Sequence, residues 1–230
     1  MNRMDTIYFP ILFLEQWRFY PGDPVKHWET GFSAKSLSHC WFQAQGFPRS
    51  VRDAFEKAGN PLAGCEPLLI FPEHKAELPG GNACSQNDLW ILARHSNDLL
   101  SIAVEGKVGE RFGNESVKEW FRNASQQKYD RFAYLTNILE VTISKDSDLH
   151  YQLIHRTASA IIEVDRFMAQ HAVMLVHSFS PSDAWFDDYR AFVKLWGIEA
   201  EKNAIHSRQM KSGKHLYFGW IHGEEEFLKV

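Results

Sequence analysis

The chain has 230 residues, of which 44% are hydrophobic and 14% aromatic, so it is long enough to bury a substantial core. Its 25 lysines and arginines stand against 29 aspartates and glutamates, and the formal charge is −4. That balance excludes the globally basic surface that marks many nucleic-acid binders. The length favours a single domain over residues 1–230.

Cysteine usage and hydropathy predict the cellular compartment of the protein and whether it contacts a membrane. Cys40, Cys65 and Cys84 are odd in number and lack the spacing of a metal site. We interpret them as reduced and buried, which predicts a cytoplasmic protein. No apolar run reaches the roughly 18 residues that a membrane helix needs, and no signal peptide is evident, so we expect no membrane partner.

The N-terminal part of the chain predicts an edge strand, a loop and a helix. Residues 7–14 are apolar, and Pro10 bars them from a central position in a sheet. A loop rich in proline and glycine follows at 21–24. Ser33 then has the chemistry of a helix N-cap, and Gly46 is the predicted end of that helix.

Between residues 48 and 81 the pattern predicts a helix, a short strand and a loop. Pro48 opens a helix that Gly59 closes. The apolar residues 67–72 are bracketed by prolines and predict a strand. Residues 73–81 predict a loop, with its firmest turn signal at Pro-Gly-Gly.

Two apolar runs predict a hairpin at the centre of the sheet. Residues 85–93 and 99–107 are joined by a short polar turn. The second run has the composition of a strand buried on both faces, yet it ends in Glu105 and Lys107. These two residues share a face of the strand, and a hairpin would also bring Asp88 close to Glu105.

The position of Asp88 has a second interpretation. Ser85 and Asp88 have the spacing of a capping-box variant, and Leu89, Leu92 and Ala93 recur at helical spacing. In a helix, Asp88 would only complement the dipole. The continuous apolar run after Asp88 favours the strand.

The remainder of the chain alternates between predicted helices and strands. A loop is expected at 146–148, and the final strand is expected at a sheet edge. The predicted helices are 115–122, 126–139, 151–168 and one that begins after Ser180 and ends at Gly197, and the predicted strands are 172–176 and 215–222.

An aspartate followed by Glu-x-Lys at the end of a strand resembles the PD-(D/E)xK nuclease superfamily, which has the restriction-endonuclease-like fold. The resemblance implies an α/β domain with an α-β-β-β-α-β core, in which helices flank a mixed central sheet. That core would span about 33–178, with 1–32 and 179–230 as N- and C-terminal additions.

The same resemblance implies a metal-dependent nuclease that hydrolyses a phosphodiester of DNA or RNA. Asp88, Glu105 and the backbone carbonyl of Gly106 would bind Mg²⁺ or Mn²⁺, which prefer oxygen ligands. Lys107 would assist the attacking water. The chain departs from the family pattern in two places, because Asn87 stands where proline is usual and Gly106 replaces an aliphatic residue.

Further residues have two interpretations each. Gln152 and Arg156 resemble helix residues that position substrate in several nuclease branches, but a solvated helix face explains them equally simply. Glu73 and Glu77 could add a carboxylate to the site, or they could be surface charges of a loop.

The alternative function is a catalytically inactive nuclease-like fold that serves as a protein-interaction or oligomerisation module, including a homo-oligomer. The acidic balance and the aromatic content motivate it. No Gly-x-Ser-x-Gly elbow or dinucleotide-binding loop is present. Most of the chain also resembles a bacterial family of unknown function, through stretches such as Ala103-Val-Glu-Gly-Lys and Leu175-Val-His-Ser-Phe-Ser-Pro.

Overall fold

A computed structural model of the chain describes residues 13–20 and 28–230. The predicted loop at 21–24 lies outside these residues, as does the predicted edge strand at 7–14 apart from its last two members. Of those two, Leu14 begins a short 3-10 helix, Leu14–Phe19.

The centre of the molecule is a mixed sheet whose strands follow the order β1-β2-β3-β4-β6-β5. The first three strands form an antiparallel meander, β4 runs parallel to β3 and to β6, and β5 is antiparallel to β6. The strands are β1 (Glu66–Ala76), β2 (Ser85–His95), β3 (Asp98–Lys107), β4 (His171–Ser178), β5 (Ala204–Gln209) and β6 (His215–His222).

Helices cover both faces of this sheet, so the predicted α/β class with a mixed sheet flanked by helices is confirmed. Each face of the sheet has its own buried hydrophobic cluster. One lies between the sheet and α1 and α2, and the other lies between the sheet and α4, α5 and α6. The helices are α1 (Ser33–Ala44), α2 (Arg49–Ala58), α3 (Val117–Trp120), α4 (Gln126–Ile138), α5 (Tyr151–Arg166) and α6 (Phe186–Val193).

The predicted hairpin is present as β2 and β3, and α5 is the crossover between the parallel strands β3 and β4. At the start of α1, Phe32 rather than Ser33 occupies the N-cap position. The Ser33 N–H instead donates to Glu110 Oε1 at 2.7 Å. The start of α1 is therefore tied to the loop that follows β3.

Two strand predictions are wrong in extent or position. The predicted loop at 73–81 begins inside β1, because the polar residues after Pro72 pair with β2, as His74 does with Asn87. The last strand, β6, is interior rather than at an edge. Its outer neighbour β5 is short, polar and partly exposed, so it gave no strand signal.

The cysteines are free thiols, but they are not uniformly buried as predicted. Cys40 is buried, Cys65 is half-buried and Cys84 is exposed. Cys84 lies just before β2, where the chain runs outside the sheet.

Among the described helices, none combines the length and the apolarity needed to cross a membrane.

Candidate functional site

The β2–β3 hairpin brings Asp88 to the same end of the sheet as Glu105. The ladder between the two strands ends with Leu89 opposite Val104, the residues next to Asp88 and Glu105. Asp88 lies within a strand, and the helical alternative is therefore wrong. The apolar residues after Asp88 are drawn into the sheet by burial, which overrides the capping signal of Ser85.

Side chains of β2 alternate between the two faces of the sheet, but this alternation is interrupted at Asp88. Ser85 and Asn87 form hydrogen bonds with α5, whereas Leu89 packs in the cluster on the opposite face of the sheet. Residues two apart in a regular strand share one face, so the strand changes its facing at this point. On the adjacent strand, Glu73 has a left-handed φ of 52°, which is uncommon for a residue other than glycine.

Asp88 is anchored to the end of β3. Its Oδ2 accepts a hydrogen bond of 2.8 Å from the backbone N–H of Gly106, the residue between Glu105 and Lys107. A Cβ at Gly106 would lie 3.2 Å from Leu37 Cδ2 and 3.5 Å from this same Asp88 oxygen. The distance to Asp88 is an ordinary contact, whereas the distance to Leu37 is tight, so glycine lets α1 approach β3 closely, which is a physical reason for the departure from an aliphatic residue.

Glu105 is a buried carboxylate that is held between two cations. Its Oε1 lies 2.8 Å from Lys107 Nζ, and its Oε2 accepts a hydrogen bond of 2.7 Å from Arg156 Nε. The side chain is only 2% exposed. Burial by itself would raise the pKa of Glu105, but the two cations outweigh that effect and lower the pKa to about 2.

Lys107 is held by three different groups. Besides Glu105, its ammonium lies 3.5 Å from Gln152 Oε1 and 4.9 Å from the centre of the Phe112 ring. The residue is 4% exposed, so the ammonium is fixed in place rather than mobile in solvent. The structure thus brings the half-buried Gln152 to the predicted lysine.

Arg156 was only weakly indicated by the sequence, yet it is central to the charge network. Its Nε binds Glu105, and its Nη1 lies 3.4 Å from Ser85 Oγ. Arg156 is buried, which contradicts its interpretation as a solvated residue. Its spacing of four residues from Gln152 was the available signal, because such residues share one side of a helix.

Glu73 approaches the same place from β1, whereas Glu77 is exposed beyond the end of that strand. Gln86 Nε2 donates a hydrogen bond of 2.6 Å to Glu73 Oε2. Burial raises the pKa of Glu73, and the negative charge of Glu105 adds to that effect, although Gln86 and Arg156 oppose it. Glu73 is therefore not a surface loop charge.

These side chains meet in a cleft of about 520 Å³ at the end of the sheet. The starts of α1 and α5 and the loop after β3 form its walls. The charged residues that line it are Glu73, Asp88, Glu105, Lys107, Glu110, Arg111 and Arg156. We call this cleft, with those residues and Gln152, the acidic cleft.

The environment of the acidic cleft raises the pKa of two of its acids, Asp88 and Glu73. Burial raises the pKa of Asp88 well above its usual range, and the negative charges of Glu105 and Glu73 raise it further against the opposing cations. Within the described parts of the chain, neither Asp88 nor Glu73 has a cationic side chain within 4.0 Å. Two carboxylates here thus lack a direct ion-pair partner.

A second polar cluster lies on the opposite face of the sheet, under α1. The ligand atoms of Cys40, His177 and Glu224 lie within 4.8 Å of one another, a set that could suit a transition metal. However, Trp41 Nε1 donates to His177 Nδ1 at 3.1 Å, and His177 Nε2 lies 3.3 Å from Ser50 Oγ. We call these five residues the Cys40 cluster.

The hydrogen bonds of the Cys40 cluster decide its chemistry. Because an indole N–H can only donate, Nδ1 of His177 carries the lone pair and Nε2 carries the proton. Burial lowers the pKa of His177 to about 4, so the ring is neutral. Neither ring nitrogen is left free for a metal, and we interpret the cluster as a structural hydrogen-bond network.

Comparisons with known proteins place the chain in a family without assigning an activity. No curated protein and no solved structure matches it. One family model, described as a domain of unknown function (DUF6946), matches residues 10–225, which is nearly the whole chain. The chain therefore belongs to the DUF6946 family.

Proposed function

We propose that this protein is a metal-dependent nuclease that hydrolyses a phosphodiester bond of DNA or RNA in the acidic cleft. One observation carries the proposal: Asp88, Glu105 and Lys107 line the same cleft, and Asp88 is bonded to the backbone between the other two. Carboxylates next to a fixed ammonium are the groups that metal-assisted phosphodiester hydrolysis requires.

We also propose that the core is restriction-endonuclease-like. In support, α1 is followed by a three-stranded antiparallel meander, then by α5 and the parallel strand β4. This succession agrees with the α-β-β-β-α-β order of that fold. The helices α2, α3, α4 and α6 and the strands β5 and β6 are then additions to the core.

The donor set of the cleft fits Mg²⁺ or Mn²⁺. Asp88, Glu105 and the backbone carbonyl of Gly106 would hold the ion, and all three donors are the hard oxygen atoms that these ions prefer. When bound, the ion would neutralise charge on the scissile phosphate and lower the pKa of a water molecule. Among the described residues Asp88, unlike Glu105, has no lysine or arginine within 4.0 Å, which gives the ion an electrostatic reason to bind there.

Lys107 has the position of the residue that orients the attacking water. Its ammonium is fixed by Glu105 and Gln152 and lies in the wall of the cleft, so it can donate a hydrogen bond there without large rearrangement. In the transition state the same positive charge would stabilise negative charge on the phosphate oxygens. Gln152 acts on the reaction by positioning this ammonium.

The test is cleavage of DNA and RNA by the purified protein with Mn²⁺ or Mg²⁺. We expect Lys107→Ala to lower the rate at least 100-fold, because it removes the fixed charge. Lys57→Ala, an exposed lysine on α2, is the matched control and should cleave at the wild-type rate. Urea unfolding of both variants establishes that they are folded, and wild-type activity of folded Lys107→Ala would refute the mechanism.

A specific observation also favours the alternative, an inactive module that binds a protein partner or another copy of itself. Both Glu105 oxygens are already paired with cations, so this carboxylate is neutralised by the protein itself. Titration calorimetry separates the two functions. Binding heat with Mn²⁺ supports the nuclease, whereas no heat together with a stable dimer in size-exclusion chromatography supports the module.

A further inference from the structure

Glu73 is a half-buried acid of the acidic cleft that the proposed mechanism does not use. It comes from β1, while Asp88 and Glu105 come from β2 and β3, so three neighbouring strands each contribute one carboxylate. The β1–β2 ladder pairs Pro72 with Leu89 and His74 with Asn87, which sets Glu73 opposite Asp88. Glu73 and Asp88 thus lie on neighbouring strands at the end of the sheet that carries the acidic cleft.

The local backbone of Glu73 departs from a regular strand. Its φ of 52° lies in the left-handed region, although the residues before and after it remain in β1. A conformation of this kind persists only where the surroundings enforce it. Asp88, on the facing strand, is the point at which β2 changes its facing, so the two irregularities coincide at one place in the sheet.

The Glu73 carboxylate is oriented by one neutral donor and leaves part of its acceptor capacity unused. Gln86 Nε2 binds Oε2 at 2.6 Å. Among the described residues, no side chain or backbone group hydrogen-bonds to Oε1, and no lysine or arginine lies within 4.0 Å of the carboxylate. Such a carboxylate can supply an oxygen to a cation without losing an existing ion pair.

We propose that Glu73 is a third carboxylate ligand of the divalent cation in the acidic cleft and that Gln86 positions it. This inference rests on the proposed function for the presence of the cation. It assigns a ligand from β1 that the Asp and Glu-x-Lys pattern does not include. A three-carboxylate donor set of this kind suits Mg²⁺ or Mn²⁺, which prefer oxygen ligands.

The experiment is titration calorimetry of the full chain with Mn²⁺, which reads out binding without any need for catalysis. We expect Glu73→Gln to weaken Mn²⁺ binding at least 10-fold, because the amide keeps the contact with Gln86 but lacks the negative charge. Glu77→Gln, an exposed acid four residues away, is the matched control and should change the affinity less than 2-fold. Glu73→Asp keeps the charge but shortens the side chain, and it should fall between wild type and Glu73→Gln.

The outcomes separate this inference from the nuclease proposal. If Asp88→Asn weakens Mn²⁺ binding while both Glu73 variants bind as tightly as wild type, the Glu73 assignment is overturned and the nuclease proposal stands. If Glu73→Gln weakens binding but folded Lys107→Ala still cleaves at the wild-type rate, the assignment stands and the mechanism is overturned. Wild-type protein that binds no Mn²⁺ overturns both.

Discussion

The acidic cleft and the Cys40 cluster are two polar sites on opposite faces of one sheet, at the same end of β3 and β4. In the parallel ladder Gly106 pairs with His177, so the two sites are separated by little more than the thickness of the sheet. Their chemistry nevertheless differs. In the cleft, charged groups face one another and two carboxylates lack a direct ion pair, whereas the Cys40 cluster is linked by hydrogen bonds around a neutral histidine.

The comparison shows that proximity of potential ligands does not define a metal site. Cys40, His177 and Glu224 have closely spaced ligand atoms, but hydrogen bonds within the protein already engage them. For example, the Cys40 thiol donates to Glu224 Oε2 at 3.3 Å, and the pKa of Cys40 is raised by burial and by that carboxylate. In the cleft, by contrast, neither Asp88 nor Glu73 has a lysine or arginine within 4.0 Å among the described residues.

The largest expected effect is on the buried charges of the cleft. Arg156→Met removes one of the two cations from Glu105. Because the buried Glu105 carboxylate then loses this partner, we expect the free energy of unfolding to fall by about 3–5 kcal/mol. The measurement is urea denaturation at neutral pH. Arg190→Met is the control, since its pair with Asp187 is more than half exposed and should contribute little.

A second variant distinguishes loss of charge from loss of packing. The double variant Arg156→Met with Glu105→Gln should recover part of the lost stability, because the side chain at position 105 that faced Arg156 is then neutral. A double variant that is as unstable as the sum of the two single variants would contradict the electrostatic explanation.

The next effect concerns the Cys40 cluster. There the folded state requires a neutral histidine, whereas in the cleft it requires paired charges. The pKa of His177 is about 4 in the folded protein against 6.5 for an ordinary histidine. Its contribution to stability is fully present above pH 6.5 and is lost as the pH falls toward 4. Between pH 7 and pH 5 the loss amounts to about 2 kcal/mol.

The pH dependence can be assigned with a variant. His177→Asn retains an acceptor at the position of Nδ1 for Trp41 but cannot titrate in this range. Unfolding free energies of both proteins at pH 7 and pH 5 give the measurement, and only the difference between the two pH values is compared. Equal losses in wild type and variant would show that His177 does not carry the effect.

The smallest expected effect tests whether the two sites differ in metal binding. Cys40→Ser keeps a donor to Glu224 but removes the sulfur ligand. We expect Mn²⁺ and Zn²⁺ to shift the melting temperature of this variant by the same amount as that of wild type. A zinc-dependent shift that disappears in Cys40→Ser would show that the Cys40 cluster binds metal after all.

Much of the local structure near the cleft could be predicted from the sequence. The apolar runs of β2 and β3 and the turn between them indicated a hairpin, and its register places Asp88 near Glu105. The long amphipathic pattern of α5 was equally clear. These signals are strong because burial imposes a period on the sequence that needs no knowledge of distant contacts.

The polar extensions of the sheet could not be predicted in the same way. β5 and the second half of β1 are rich in polar residues, and each becomes a strand because a neighbouring strand supplies its hydrogen bonds. Glu73 was assigned to a loop for this reason. Its contribution to the cleft depends on a backbone conformation at one residue, which side-chain type does not encode.

The sequence by itself determined the α/β class, the hairpin and the residue types that end it, because hydrophobic period and turn chemistry act over a few neighbouring residues. Only the tertiary structure decided which charges meet. It paired Glu105 with Arg156 across 51 positions of sequence, and it enclosed His177 between Trp41 and Ser50 on the other face of the sheet. Charge and hydrogen-bond partners are set by distances between elements, and those distances arise only when the helices pack on the sheet.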